Sequence, residues 1–131
     1  MSDPVHTRRA LIVPEAAPAR AAPYLVELER SLACPAISKQ PILLRLRYMP
    51  EKWAITPAHL KRYLAACEKE KPPSLEILGD MLVSDLHNEL IPFFLEIELS
   101  YEAGGTRHRL LRQERQPDWE DDAILNRLSH F

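Results

Sequence analysis

A chain of 131 residues is long enough for one domain around one modest core, and 46% apolar residues is the composition of a globular protein. A formal net charge of −2 provides no field that would draw the chain to nucleic acid or to an anionic membrane surface. Two cysteines, without other marks of secretion, point to reduced thiols and a cytoplasmic protein.

The first segment, residues 1–22, spreads Pro4, Pro14 and Pro18 among alanines and charges. Its apolar run Ala10-Leu11-Ile12-Val13 is too short for a signal-peptide core, and no run in the chain approaches the roughly 18 apolar residues of a membrane span. This segment reads as a mobile arm that docks on a neighbouring subunit. A folded domain is expected over 23–112. Tyr24, Val26 and Leu28 alternate with Leu25, Glu27 and Glu29, which marks a strand running to Leu32. Ile42, Leu44, Leu46 and Tyr48 alternate with Leu43, Arg45 and Arg47 in a second strand.

Pro57 opens a helix with Thr56 placed to cap it. Leu60, Leu64 and Cys67 form its apolar stripe, with Tyr63 alongside, and Pro72-Pro73 stop it. Ser74 caps a second helix whose stripe is Leu75, Leu78, Leu82 and Leu86, with Glu76 and Asp80 favoured near its positive end. Phe93 to Tyr101 then alternates as a third strand. Gly104-Gly105 suits a tight hairpin turn, and Thr106 to Arg112 returns as the fourth strand. The tail, 113–131, is polar, with a short helix expected over Asp118 to Leu128. The predicted class is α+β: an antiparallel sheet of four strands with two helices on one face, in the order ββααββ. Open sheet edges are a liability that joining between subunits into a barrel removes.

Arg107, Arg109, Arg112 and Arg115 form a basic stretch, but Glu114, Asp118, Glu120, Asp121 and Asp122 balance it, which argues against nucleic acid as a partner. The histidines and cysteines have no metal-ligand spacing, and no phosphate loop or dinucleotide glycine motif occurs. Cys67 lies on a helix stripe and reads as core. Cys34, between a strand end and Pro35, is either a nucleophile in a loop or a small buried hydrophobe. Glu76 is either a ligand-binding carboxylate or a first-turn residue that favours the helix dipole.

Several landmarks resemble one known family. They are the strand Tyr24-Leu25-Val26-Glu27-Leu28-Glu29, then Cys34-Pro35 and Gln40-Pro41, Tyr48-Met49-Pro50, the helical Leu60-Lys61-Arg62-Tyr63-Leu64, Glu76, and Gly104-Gly105. In that order, from Tyr24 to Leu111, they resemble the nitrile reductases that convert 7-cyano-7-deazaguanine to its amine in queuosine biosynthesis for tRNA modification. The resemblance implies the tunnelling fold (T-fold) and a homo-oligomer with sites between subunits. It implies Cys34 as a thioimide-forming nucleophile, Glu76 and Gln40 as substrate-binding residues, Lys61 as a remnant of the cofactor motif, and NADPH as cofactor. The ligand would be a small heterocycle of deazapurine or pterin type.

The chain departs from the family where chemistry is concerned. The proton-donating aspartate after Gln-Pro is Ile42, the Glu and Lys of the cofactor motif are Thr56 and Ala58, the histidine before Glu76 is Leu75, and the arginine before Gly104 is Ala103. His59, His87 or His108 would have to supply the proton. Three readings therefore stay open: a divergent reductase-like oxidoreductase, a related thioimide-forming amidinotransferase, and a non-catalytic T-fold protein that binds a purine- or pterin-like ring or a partner subunit.

Overall fold

The computed structural model of the protein describes residues 4–18, 24–117 and 119. The elements in chain order are α1 (Pro4–Arg9), β1 (Glu15–Ala16), β2 (Val26–Leu32), β3 (Ile42–Met49), β4 (Trp53–Ala54), α2 (Pro57–Lys69), α3 (Leu75–Leu90), β5 (Phe94–Ala103) and β6 (Thr106–Arg115). The architecture is α+β. Strands β2-β3-β5-β6 form a fully antiparallel sheet of four, with α2 and α3 packed against it, as the alternation of apolar residues requires.

Local chemistry sets the helix boundaries. The Thr56 hydroxyl accepts from the His59 amide at 3.2 Å, and Pro57 occupies the first turn, where its missing N–H costs nothing. Ser74 accepts from the Ile77 amide at 3.2 Å and starts α3. At the other end Ile91 adopts a left-handed conformation, φ 47°, while its amide caps the His87 carbonyl. A β-branched residue is strained there, and Ile91 is 52% exposed, so little packing offsets that strain. Replacing Ile91 by Gly is expected to raise the unfolding free energy by about 1 kcal/mol, read from the urea midpoint.

Period-two alternation sorts the sheet residues. Leu28, Leu46, Ile97 and Arg112 align in register on the helix side, as do Leu44, Leu99 and Leu110. Below them the stripes of α2 and α3 supply Leu60, Leu64, Cys67, Leu78, Leu82 and Leu86 to one core. Gly79 lets α3 approach β6 closely: a Cβ there would lie 2.5 Å from the Leu110 side chain.

The other face carries no helix, and its charges fall in columns. Glu27 and Glu29 lie on β2, Arg45 and Arg47 on β3, Glu96, Glu98 and Glu102 on β5, and Arg107, Arg109 and Arg115 on β6. The columns thus alternate in sign across the sheet, and ion pairs cross between them. Arg45 lies 2.9 Å from Glu29, Arg109 lies 3.1 Å from Glu98, and Arg47 pairs with Glu96. At the lower end of this face Met49 and Phe94 make a small second cluster, with the Trp119 ring 5.6 Å from that of Phe94.

The structure adds two details that the sequence did not predict. Within the segment expected to be a mobile arm, residues 4–16 pack on the domain. Arg8 and Ile12 are buried, and β1 pairs with the short β4, an element with too few residues to show periodicity. The cause is an ion-pair cluster. The buried Asp85 carboxylate of α3 accepts from Nε and Nη2 of Arg8, from Arg9 at 2.7 Å and from the Tyr63 hydroxyl at 2.7 Å, while Nη1 of Arg8 reaches Glu70 at 2.6 Å. The fourth strand continues past Arg112 to Arg115, because Phe94 at the start of β5 still has a partner there. The expected helix over 118–128 lies outside the described residues except for Trp119.

Candidate functional site

The turn after β2 brings the first candidate into place. The Ile37 and Ser38 amides both donate to the Cys34 carbonyl, at 2.9 and 3.1 Å, which winds Cys34 to Ser38 into a single turn. The Ala33 amide donates to Glu68 at 2.7 Å and ties this turn to the end of α2. The result turns the Cys34 side chain inward. It is 1% exposed and belongs to the main core. Burial pushes its thiol up, and the Glu68 carboxylate adds to that shift. A nucleophilic cysteine needs the opposite setting: exposure and a neighbouring positive charge. The bland reading made for Cys67 holds as well, since burial pushes that thiol up to about 12. Both thiols are therefore expected to resist iodoacetamide in the native protein and to react together once urea unfolds it. Fast native alkylation of Cys34 would contradict this packing.

Gln40 follows the turn and does face open space. It lines a groove of about 950 Å³ on the helix-free face, with Lys39, Arg45, Ser100, Arg107 and Arg109 among the other walls. Ile42, where the resembled family keeps its acid, is fully buried. Lys61 is exposed on α2, about two helical turns before Glu68 and so away from the Cys34 turn. Nothing in the groove brings Lys61 or Cys34 to its surface.

Glu76 projects from the first turn of α3 and is 61% exposed. It does not stand alone. Its Oε1 lies 3.5 Å from Nε2 of His108 on β6, and Nδ1 of that ring lies 3.0 Å from the Tyr101 hydroxyl on β5. Sequence reasoning named His108 only as one of three possible proton donors and missed Tyr101. Their adjacency follows from hairpin register, Tyr101 opposite His108, which a count from Gly104-Gly105 could have supplied. His59 serves the cap of α2, with its Nδ1 2.9 Å from Thr56, and His87 sits in the last turn of α3.

Within the chain Cys34 and Glu76 lie at opposite edges of the sheet, because β2 and β6 are its outer strands. They lie at the same end, however. Leu32 at the end of β2 pairs with Ile42, Leu43 pairs with Ser100, and Tyr101 pairs with His108, so the Cys34–Pro41 turn, the β5–β6 hairpin and Glu76 share one rim.

No family model matches the chain, and no curated protein matches it. Among the described residues no group of three or more His, Cys, Asp or Glu side chains could hold a metal ion, and no helix is long and apolar enough to cross a membrane.

Proposed function

We propose that the protein is an oligomeric T-fold ring that binds a flat purine- or pterin-like heterocycle at the seam between protomers, with Glu76 as the principal acceptor. The observation that carries this is the alternating charge of the helix-free face. The sheet ends on an acidic strand, β2, and on a basic strand, β6. Setting β2 of a second copy beside β6 continues the alternation, satisfies both open edges and keeps the pairing antiparallel. A cyclic arrangement repeats that contact until it closes.

The same step completes a site. It lays the Cys34–Pro41 turn of one protomer, with Gln40, against the rim that bears Glu76 and His108 on the next. A carboxylate accepts two adjacent ring N–H groups side by side, the arrangement that suits a guanine-like or pterin-like edge. The element order ββααββ and the partial sequence resemblance support the same fold assignment.

Binding is favoured over thioimide chemistry by the burial of Cys34 and the upward shift of its thiol. Lys61, far along α2 from that turn, gives NADPH reduction no support either. Calorimetric titration with guanine, pterin and 7-cyano-7-deazaguanine, with adenine as control, tests the proposal. The first three should bind, and Glu76→Gln should weaken them about tenfold or more. A wild-type protein that binds none of these rings, or binds them no better than Glu76→Gln, overturns it. A covalent mass adduct of 7-cyano-7-deazaguanine on Cys34 would replace it with the thioimide-forming enzyme.

A further inference from the structure

We propose that Tyr101 and His108 are positioning residues of this site, steering the Glu76 carboxylate from one side while each of its oxygens keeps a lone pair for the ligand. The inference rests on the ligand reading above. Three elements meet here: Tyr101 comes from β5, His108 from β6 and Glu76 from α3. Tyr101 and His108 are direct cross-strand partners on the helix side of the sheet, their rings 5.2 Å apart and inclined by 60°.

The Tyr101–His108 contact is a hydrogen bond and the His108–Glu76 contact a 3.5 Å ion-pair approach, and donor chemistry gives the two one direction. A carboxylate only accepts, so the imidazole nitrogen that faces Glu76 carries the proton. In the neutral ring the other nitrogen is then an acceptor, and the Tyr101 hydroxyl donates to it. Donors therefore run one way, from Tyr101 through His108 to Glu76. The anchoring end is the sheltered one, since Tyr101 packs against the main core. The His108 and Glu76 side chains are 39% and 61% exposed, so the carboxylate end opens on the rim. As a surface ion pair alone this contact would contribute almost nothing to stability. As an orienting device it restrains a long, rotatable side chain while both oxygens can still accept, which lowers the ordering cost when a ring docks. It also supplies from β6 an imidazole beside the carboxylate, where the residue before Glu76 is Leu75.

Two measurements on the full chain test this. The first is the nitrogen-15 spectrum of the His108 ring at a pH where it is neutral. A single tautomer protonated at Nε2 is expected, and Tyr101→Phe or Glu76→Gln should shift it toward a mixture of both forms. The second is guanine affinity, expected to fall about tenfold in His108→Ala and to recover to within about threefold in His108→Gln, which keeps a donor toward Glu76. Guanine binding by wild type that His108→Ala leaves unchanged, or a His108 ring indifferent to both neighbours, overturns the positioning role alone. Wild type that binds no ring overturns the ligand reading, and the positioning role with it.

Discussion

Replacing Arg8 by Ala should lower the unfolding free energy by about 3 kcal/mol, because a buried carboxylate then keeps only Arg9 and Tyr63 as partners. Asp85 is 0% exposed, and Arg8 is its main partner. Burial by itself would raise the Asp85 carboxyl, but the hydrogen bonds from Arg8, Arg9 and Tyr63 outweigh burial and leave it below its ordinary value of 3.8. The contribution to stability follows from that direction. As pH falls, the unfolded chain takes up the proton first, so the contribution is whole above about pH 5 and is lost as pH falls through the folded value. Urea unfolding at pH 7 and at pH 3 measures both effects, and the acid loss should be smaller in Arg8→Ala. A double change, Arg8→Met with Asp85→Leu, should recover part of the loss, because it removes the charge as well as its partner. A cost under about 1 kcal/mol for Arg8→Ala would mean that water reaches Asp85 once the arginine is gone.

The second large effect concerns assembly. Glu27→Arg with Glu29→Arg makes the β2 column basic, and Arg107→Glu with Arg109→Glu makes much of the β6 column acidic. Each double variant opposes like charges at every seam and should sediment as a monomer. Mixed in equal amounts, the two should assemble again, since each altered edge then meets a complementary one. The four altered side chains are themselves exposed or half-exposed, so each double variant should cost about 1 kcal/mol of stability. Assembly that survives either variant alone would place the contact elsewhere. A monomeric wild type would remove the shared site. Raising the salt from 0.05 to 0.5 M, by screening the exposed columns, should weaken the proposed ring and relieve the repulsion in the variants.

Much of the architecture was legible because it rests on local or periodic signals. Thr56 and Ser74 announced their helices through side chains that reach an amide three residues on, which no distant contact can change. Ile42 to Tyr48 and Phe94 to Tyr101 announced their strands by period two, and the order of those elements left few arrangements for the sheet. The packing of the N-terminal segment was not legible in the sequence, since only the meeting of Arg8 with Asp85, across 77 positions, shows why that arginine is buried.

The candidate site divides along the same line. Residue order alone established the order of the four sheet strands and of the two helices packed on them, the caps, the hairpin glycines and the alternation that sets Glu27 and Arg45 on one sheet face, since each depends on neighbours a few bonds away. Tertiary structure decided that Cys34 turns into the core, that Arg8 is clamped by Asp85, and that Glu76 meets His108 and Tyr101. Those outcomes depend on which surfaces close over which side chains, and burial, unlike periodicity, is a property of the packed whole.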